Sequence, residues 1–194
     1  MNSIERSARL RQEADVVAEE IGLWRILSSY GRVVPTGSYF LDTMAYPDVD
    51  LYMSKVSLAQ LFEIGAQLAE SDLVFEVVCA KSKLADLPGG LYVKPRVEYG
   101  DWGRPWKIDI WSIGDALIDE KMACMYHFRD EMTESLREQI IRYKVSILNS
   151  GHRTPVFSGY FVYEAFIDEG LTDFGQVTRY LVDNGIEMEP VLRS

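Results

Sequence analysis

Val17, Ile21, Trp24 and Leu27 recur at helical spacing with Glu13, Glu19 and Glu20 among them, so the chain opens with one amphipathic helix of several turns that covers a sheet. Arg32 to Thr36 then reads as a short strand, and Pro35, which has no N–H to donate, marks it as a strand end or edge. It runs directly into Gly37-Ser38, which implies a tight strand-to-helix turn. Asp48 to Met53 alternates, placing Asp48, Asp50 and Tyr52 on one face and Val49, Leu51 and Met53 on the other. Ser57 followed by Gln60 is a capping-box start for a helix expected to turn Leu58, Leu61, Phe62, Gly65 and Leu68 to the core. Leu73 to Ala80 returns as a strand.

Leu91 to Tyr99 and Trp106 to Ile113 are strand-like, and Gly100-Asp101-Trp102-Gly103-Arg104-Pro105 between them has the composition of a hairpin turn. Asp109 falls mid-strand. Its neighbours Ile108 and Ile110 point to one face, so Asp109 points to the other with Lys107 and Trp111. A carboxylate there is costly unless paired, by a metal or by Lys107 or Arg104. Beyond Gly114 the pattern turns helical, with Leu136, Ile140, Tyr143 and Ile147 on one stripe and a break at Asn149-Ser150-Gly151. Two shorter helices follow, Ser158 to Glu169 and Asp173 to Asn184, the second opened by an Asp173/Gln176 capping pattern and each stopped by glycine.

Composition narrows this picture. With 194 residues, 47% of them hydrophobic, the chain has one good core and room for a small helical appendage, read here as a body over 1–128 and a helical region over 129–194. The apolar runs are strand-sized and Met1 to Arg11 is too polar for a signal peptide, so the expected place is the cytoplasm, away from membrane. Cys79 and Cys124 lack metal-type spacing and read as buried, inert thiols. A formal charge of −10 argues against an extended nucleic-acid footprint and favours small-molecule or cationic acceptors, although a charge surplus also serves plain solubility. Neither His127 nor His152 has a ligand-spaced partner, and the glycines from Gly89 read as a loop.

The chemistry lies in the carboxylates. Nucleotidyl transfer develops negative charge on attacking and leaving oxygens, and a pair of divalent cations about 4 Å apart stabilises it. Such a pair needs several carboxylates close together. A D-x-D strand supplies two on one face, and a neighbouring strand with an aspartate between apolar residues supplies a third. Hard oxygen ligands favour Mg2+ or Mn2+ over zinc. A triphosphate also needs N–H donors, which a Gly-Ser turn at a helix start provides.

Val34-Pro35-Thr36-Gly37-Ser38, then Asp48-Val49-Asp50-Leu51, then Ile108-Asp109-Ile110, in that order, resemble the signature of the nucleotidyltransferase superfamily, shared by DNA polymerase beta and kanamycin nucleotidyltransferase. The resemblance spans the first two thirds of the chain. It implies an α+β fold with a mixed, mostly antiparallel sheet flanked by helices and a C-terminal helical region forming one wall of the cleft. It further implies Asp48, Asp50 and Asp109 at Mg2+ or Mn2+, and Gly37 and Ser38 at the phosphates of a nucleoside triphosphate such as ATP. Lys144, beside the Tyr143 and Ile147 stripe, either reaches toward those phosphates or snorkels to solvent. Tyr160 either stacks on a base or packs between helices. Asp109 can double as the base that orients the acceptor hydroxyl. The acceptor is a small molecule or a protein. The alternatives are a catalytically inactive nucleotidyltransferase-like binding module that engages a partner in the manner of an antitoxin, and a hydrolase using the same metal site.

Overall fold

The computed structural model describes residues 1–84, 86–148 and 158–188. Helix α1 (Ser3–Glu20) begins at a reciprocal cap, in which Asn2 accepts from the Ile4 and Glu5 amides and Glu5 accepts from the Asn2 amide. The single opening helix expected from the periodicity is in fact two. Gly22 takes φ +64°, a left-handed conformation that costs glycine nothing, and the chain restarts as α2 (Leu23–Ser28). The break leaves the apolar residues of both pieces inward, with Val17, Leu23, Ile26 and Leu27 all buried.

The remaining elements are β1 (Val33–Thr36), α3 (Gly37–Phe40), β2 (Asp48–Ser54), α4 (Leu58–Leu68), β3 (Val74–Lys81), β4 (Leu91–Val97), β5 (Trp106–Ile113), α5 (Asp115–Glu131), α6 (Glu134–Ser146), α7 (Ser158–Ile167) and α8 (Phe174–Asp183). The five strands form one sheet in the order β1-β2-β5-β4-β3. Only the central β2·β5 pair is parallel; β1·β2, β5·β4 and β4·β3 are antiparallel. This is the expected α+β architecture, with a mixed and mostly antiparallel sheet flanked by helices. Pro35 lies in an edge strand, where its missing N–H breaks no ladder.

Each face of the sheet meets its own core. On one side Val49, Leu51, Met53, Val93, Val97, Trp106, Ile108 and Ile110 pack against α1, α2 and α4. On the other, α5 to α8 cluster around Ile113, Phe128, Ile140, Val162 and Leu181, with Tyr52 and Trp111 of the sheet against them. The helix α5 runs across position 128, and this second cluster draws on residues from both sides of it. Fully burying an aliphatic side chain stabilises by about 1.5–3 kcal/mol, so a one-residue slip of β2 that exposed Val49, Leu51 and Met53 would cost several times that. The register that sends Asp48 and Asp50 to the opposite face is thereby fixed.

Three local expectations need correcting. The α4 face that meets the core is Leu61, Ile64, Gly65 and Leu68, an i, i+3, i+4, i+7 set, while Leu58 and Phe62 are exposed at 40% and 57%. The Ser57/Gln60 capping box itself forms. Cys79 and Cys124 are half-buried rather than buried, and both thiols are pushed up by desolvation. Helix α7 stops at Ile167, two residues short of the expected end, and Asp173 caps α8 from outside by accepting the Gln176 amide. The expected break at Asn149-Ser150-Gly151, with His152 and Phe157, lies outside the described residues.

His127 on α5 meets Asp168, just past α7, at 2.6 Å, with Glu131 and Asp130 adding negative charge, and these raise its imidazole above the usual range. A raised histidine stabilises fully below its unfolded value near 6.5, and the contribution fades as pH rises through the folded value. We expect His127→Gln to lower the melting temperature at pH 5.5 and to leave it unchanged at pH 9; equal effects at both would mean the pair acts through packing alone.

Candidate metal centre

Asp48 and Asp50 share a face of β2, and the parallel register sets Asp50 directly beside Asp109 and Asp48 beside Lys107 on β5. One carboxylate oxygen from each of Asp48, Asp50 and Asp109 lies within 4.8 Å of the others. Asp48 and Asp109 are buried, at 4% and 7% exposure, and Asp50 is half-buried between them. Among the described residues this is the one such group of potential metal ligands.

Three carboxylates this close repel one another. Desolvation first, then Asp48 and Asp109, hold the Asp50 carboxyl well above the usual range, while Lys107 and Lys144 pull it back. Asp48 is also raised, chiefly by burial, against the opposing pull of Lys107. Two lysines answer the charge directly: Lys107 Nζ lies 3.2 Å from Asp48 Oδ1 and 2.9 Å from Asp109 Oδ2, and Lys94 Nζ lies 3.2 Å from Asp109 Oδ1. All three interactions are ion pairs, and for Asp48 Oδ1 and Asp109 Oδ1 the ammonium group at 3.2 Å stands without the geometry of a good hydrogen bond. Buried acceptors left so are rare and costly.

The donor set fits a divalent ion: three hard oxygen ligands, two of them buried and held only by lysine ion pairs, converge from neighbouring strands. Beside them the aromatic row Tyr52, Trp111 and Tyr92 crosses three strands, with Tyr92 and Trp111 ring centroids 5.0 Å apart.

Gly37 closes the other side. Thr36 pairs with Asp50 across β1·β2, and Gly37 follows at φ +60° with its α-carbon so near Asp50 that an added Cβ would stand 3.0 Å from Oδ2. Conformation and space both demand glycine here. Gly37→Ala is expected to cost about 1–2 kcal/mol from the left-handed backbone alone and to push the Asp50 carboxylate off its position. A thermal melt with a parallel Mn2+ titration checks both, and an unaltered melt would show that the turn relaxes freely.

Of the other residues singled out in the sequence, Ser38 sits in the first turn of α3 and its carbonyl accepts from the Thr43 amide at 2.9 Å. Lys144 does not snorkel: it is 3% exposed and donates to the Thr43 carbonyl at 2.9 Å and the Tyr163 hydroxyl at 3.2 Å. Its charge is nonetheless felt at Asp50. Tyr160 is 45% exposed on α7, against Phe128 and Phe161 and bonded to Glu164, and none of these contacts joins it to the aspartates. Sequence reasoning passed over Lys94 and Thr43, and it weighed Tyr163 beside Tyr160 only as an aromatic that stacks on a base or packs between helices. Lys94 had a signal, since it alternates with Leu91 and Val93 on the polar face of β4; Thr43 and Tyr163 had none, being joined only by a 2.7 Å bond across 120 residues.

No family model matches the chain, and no curated protein matches it. Among solved structures it is similar to Cid1, from work on that protein's RNA terminal uridylyl transferase activity, with 18% sequence identity and a TM-score of 0.44. The likeness covers 75% of this chain and 42% of Cid1, so the chain spans less than half of that protein's length. Among the described residues no helix is long and apolar enough to cross a membrane.

Proposed function

We propose that the protein is a nucleotidyltransferase that binds Mg2+ or Mn2+ through Asp48, Asp50 and Asp109 and moves a nucleoside monophosphate from a nucleoside triphosphate to a hydroxyl of a small molecule or protein. The observation that carries this reading is the convergence of three carboxylates within 4.8 Å on one sheet face, two of them buried. The ordered motifs seen in the sequence, which resemble those of nucleotidyltransferases, agree with it. A bound divalent ion supplies charge neutralisation of the triphosphate and a lower pKa at the acceptor hydroxyl.

The chain's own residues do the rest. Gly37 lies beside Asp50 and Ser38 follows it in α3, and we assign the turn's backbone N–H groups and the serine hydroxyl to the phosphate oxygens. Lys144 adds buried positive charge behind Asp50, and the exposed Tyr160 is the residue proposed to meet a base. Asp109, on the more deeply paired strand, is the carboxylate proposed to orient or accept the proton of the acceptor hydroxyl. The reading places the protein in the cytoplasm, where nucleoside triphosphates are plentiful.

One observation favours a second reading. Lys107 and Lys94 already neutralise part of the carboxylate charge, as in a site retired to a partner-binding module. Calorimetric titration of ATP and GTP, with and without Mg2+, on wild type and on Asp48→Ala with Asp50→Ala separates the two. Metal-dependent binding lost in the double variant is the expected result; binding that ignores metal, or none, moves the assignment to the binding module.

A further inference from the structure

We propose that Lys107 is the resident cation of the carboxylate site, and that a divalent ion binds by exchange with its ammonium group while Lys94 stays in place. The proposal rests on the metal-binding reading above and names how that site is gated. Lys107 Nζ bridges Asp48 Oδ1 and Asp109 Oδ2 at 3.2 and 2.9 Å, between two of the three ligands an ion would use. A divalent ion held by both aspartates and an ammonium group in that bridge compete for the same oxygens.

Three features make the exchange favourable rather than forbidden. The first is charge: a divalent ion brings two positive charges to the carboxylates where the ammonium group of Lys107 brings one. The second is incomplete satisfaction. Asp48 Oδ1 and Asp109 Oδ1 each have one ammonium group at 3.2 Å as their contact among the described residues, and among those residues Asp50 has no ion pair. An ammonium group with three donors leaves such a cluster underserved, and a small hard cation serves several oxygens at once. The third is a way out. The Lys107 side chain keeps 22% exposure and Lys94 26%, against 5% and 10% for the Asp48 and Asp109 side chains, so the lysines lie on the solvent side of the carboxylates they pair with. A displaced Lys107 is then a free cation at the rim of the site, ready for the anionic ligand that arrives with the ion.

The test uses Mn2+ alone, titrated calorimetrically into the full chain in wild-type, Lys107→Met, Lys107→Arg and Lys94→Met forms, with melting temperatures in EDTA and in Mn2+. Lys107→Met is expected to bind Mn2+ at least tenfold more tightly than wild type, to melt lower in EDTA and to regain stability in Mn2+. Lys107→Arg, whose planar fork grips carboxylates more firmly, is expected to fold normally and bind Mn2+ more weakly. Lys94→Met is expected to gain less than Lys107→Met. If wild type binds Mn2+ and neither Lys107 variant changes its affinity, the exchange is wrong while the metal reading stands. If no form binds Mn2+, both fall; binding by Lys107→Met alone supports the exchange, with the lysine dominant.

Discussion

Asp50→Asn is expected to melt at a higher temperature than wild type in EDTA and to lose Mn2+ binding. Asp50 is crowded by Asp48 and Asp109 and pushed well above the ordinary carboxylate value of 3.8, with desolvation as the leading cause. A carboxyl raised on folding favours the folded state while protonated, and that advantage drains away as pH climbs from the unfolded value through the folded one. At pH 8, far above the unfolded value, the buried site therefore opposes the charge that the unfolded group carries, and an uncharged amide of the same shape removes the penalty. Relief of such functional strain is commonly worth about 1 kcal/mol, or roughly 2–4 °C for a chain of this size. The gain should shrink toward pH 4 and should reverse in Mn2+, where wild type has a ligand set that the variant lacks. Thermal melts at both pH values, with and without Mn2+, decide it. A variant that melts lower in EDTA, or still binds Mn2+, would mean that Asp50 is a structural rather than a ligating acid.

Lys144→Met should be the most damaging change of a single charged residue. Lys144 is buried at 3% exposure, and its Nζ ties α6 to the Thr43 carbonyl and to Tyr163 of α7. Methionine conserves the volume but strips the donor, leaving a buried carbonyl without its lysine partner and removing a cation that Asp50 feels. The expected cost is about 2–3 kcal/mol, a fall of roughly 5–10 °C in melting temperature. Nearby, Arg137 of α6 grips Asp42, whose φ of +52° is unusual for an aspartate, so the loop between α3 and β2 is held from the helical side at two points. A variant that keeps its melting temperature but loses nucleotide affinity would assign Lys144 to the ligand rather than to the loop.

Much of the site was legible because it obeys local rules. Alternation in Asp48 to Met53 and the apolar flanks of Asp109 put the three acids on polar faces of strands, and the observed burial of Val49, Leu51, Ile108 and Ile110 keeps them there. Capping is equally local: the Ser57 box forms as read, and Asp173 forms its half by accepting the Gln176 amide. The misreadings came where periodicity gave two answers: Leu58 and Phe62 fit a helical stripe by spacing, but the sheet meets the stripe begun at Leu61. At Gly22 the apolar spacing ran on through a residue whose backbone turned left-handed.

The sequence by itself determined which residues are acidic, which strand face each occupies and where the strands and most helices start, since these follow from side-chain alternation, burial and capping within a few residues. Only the tertiary structure decided that β2 and β5 lie side by side and parallel, in the register that sets Asp50 against Asp109. It also decided that Lys94 enters the carboxylate cluster, that Lys107, already a candidate partner for Asp109, reaches Asp48 as well, and that Lys144 turns inward to Thr43 and Tyr163. Apart from Lys107 with Asp109, which share β5, those pairings join different elements of the fold, and what selects them is the packing of two cores on opposite faces of one sheet, a property of the whole chain that no local pattern carries.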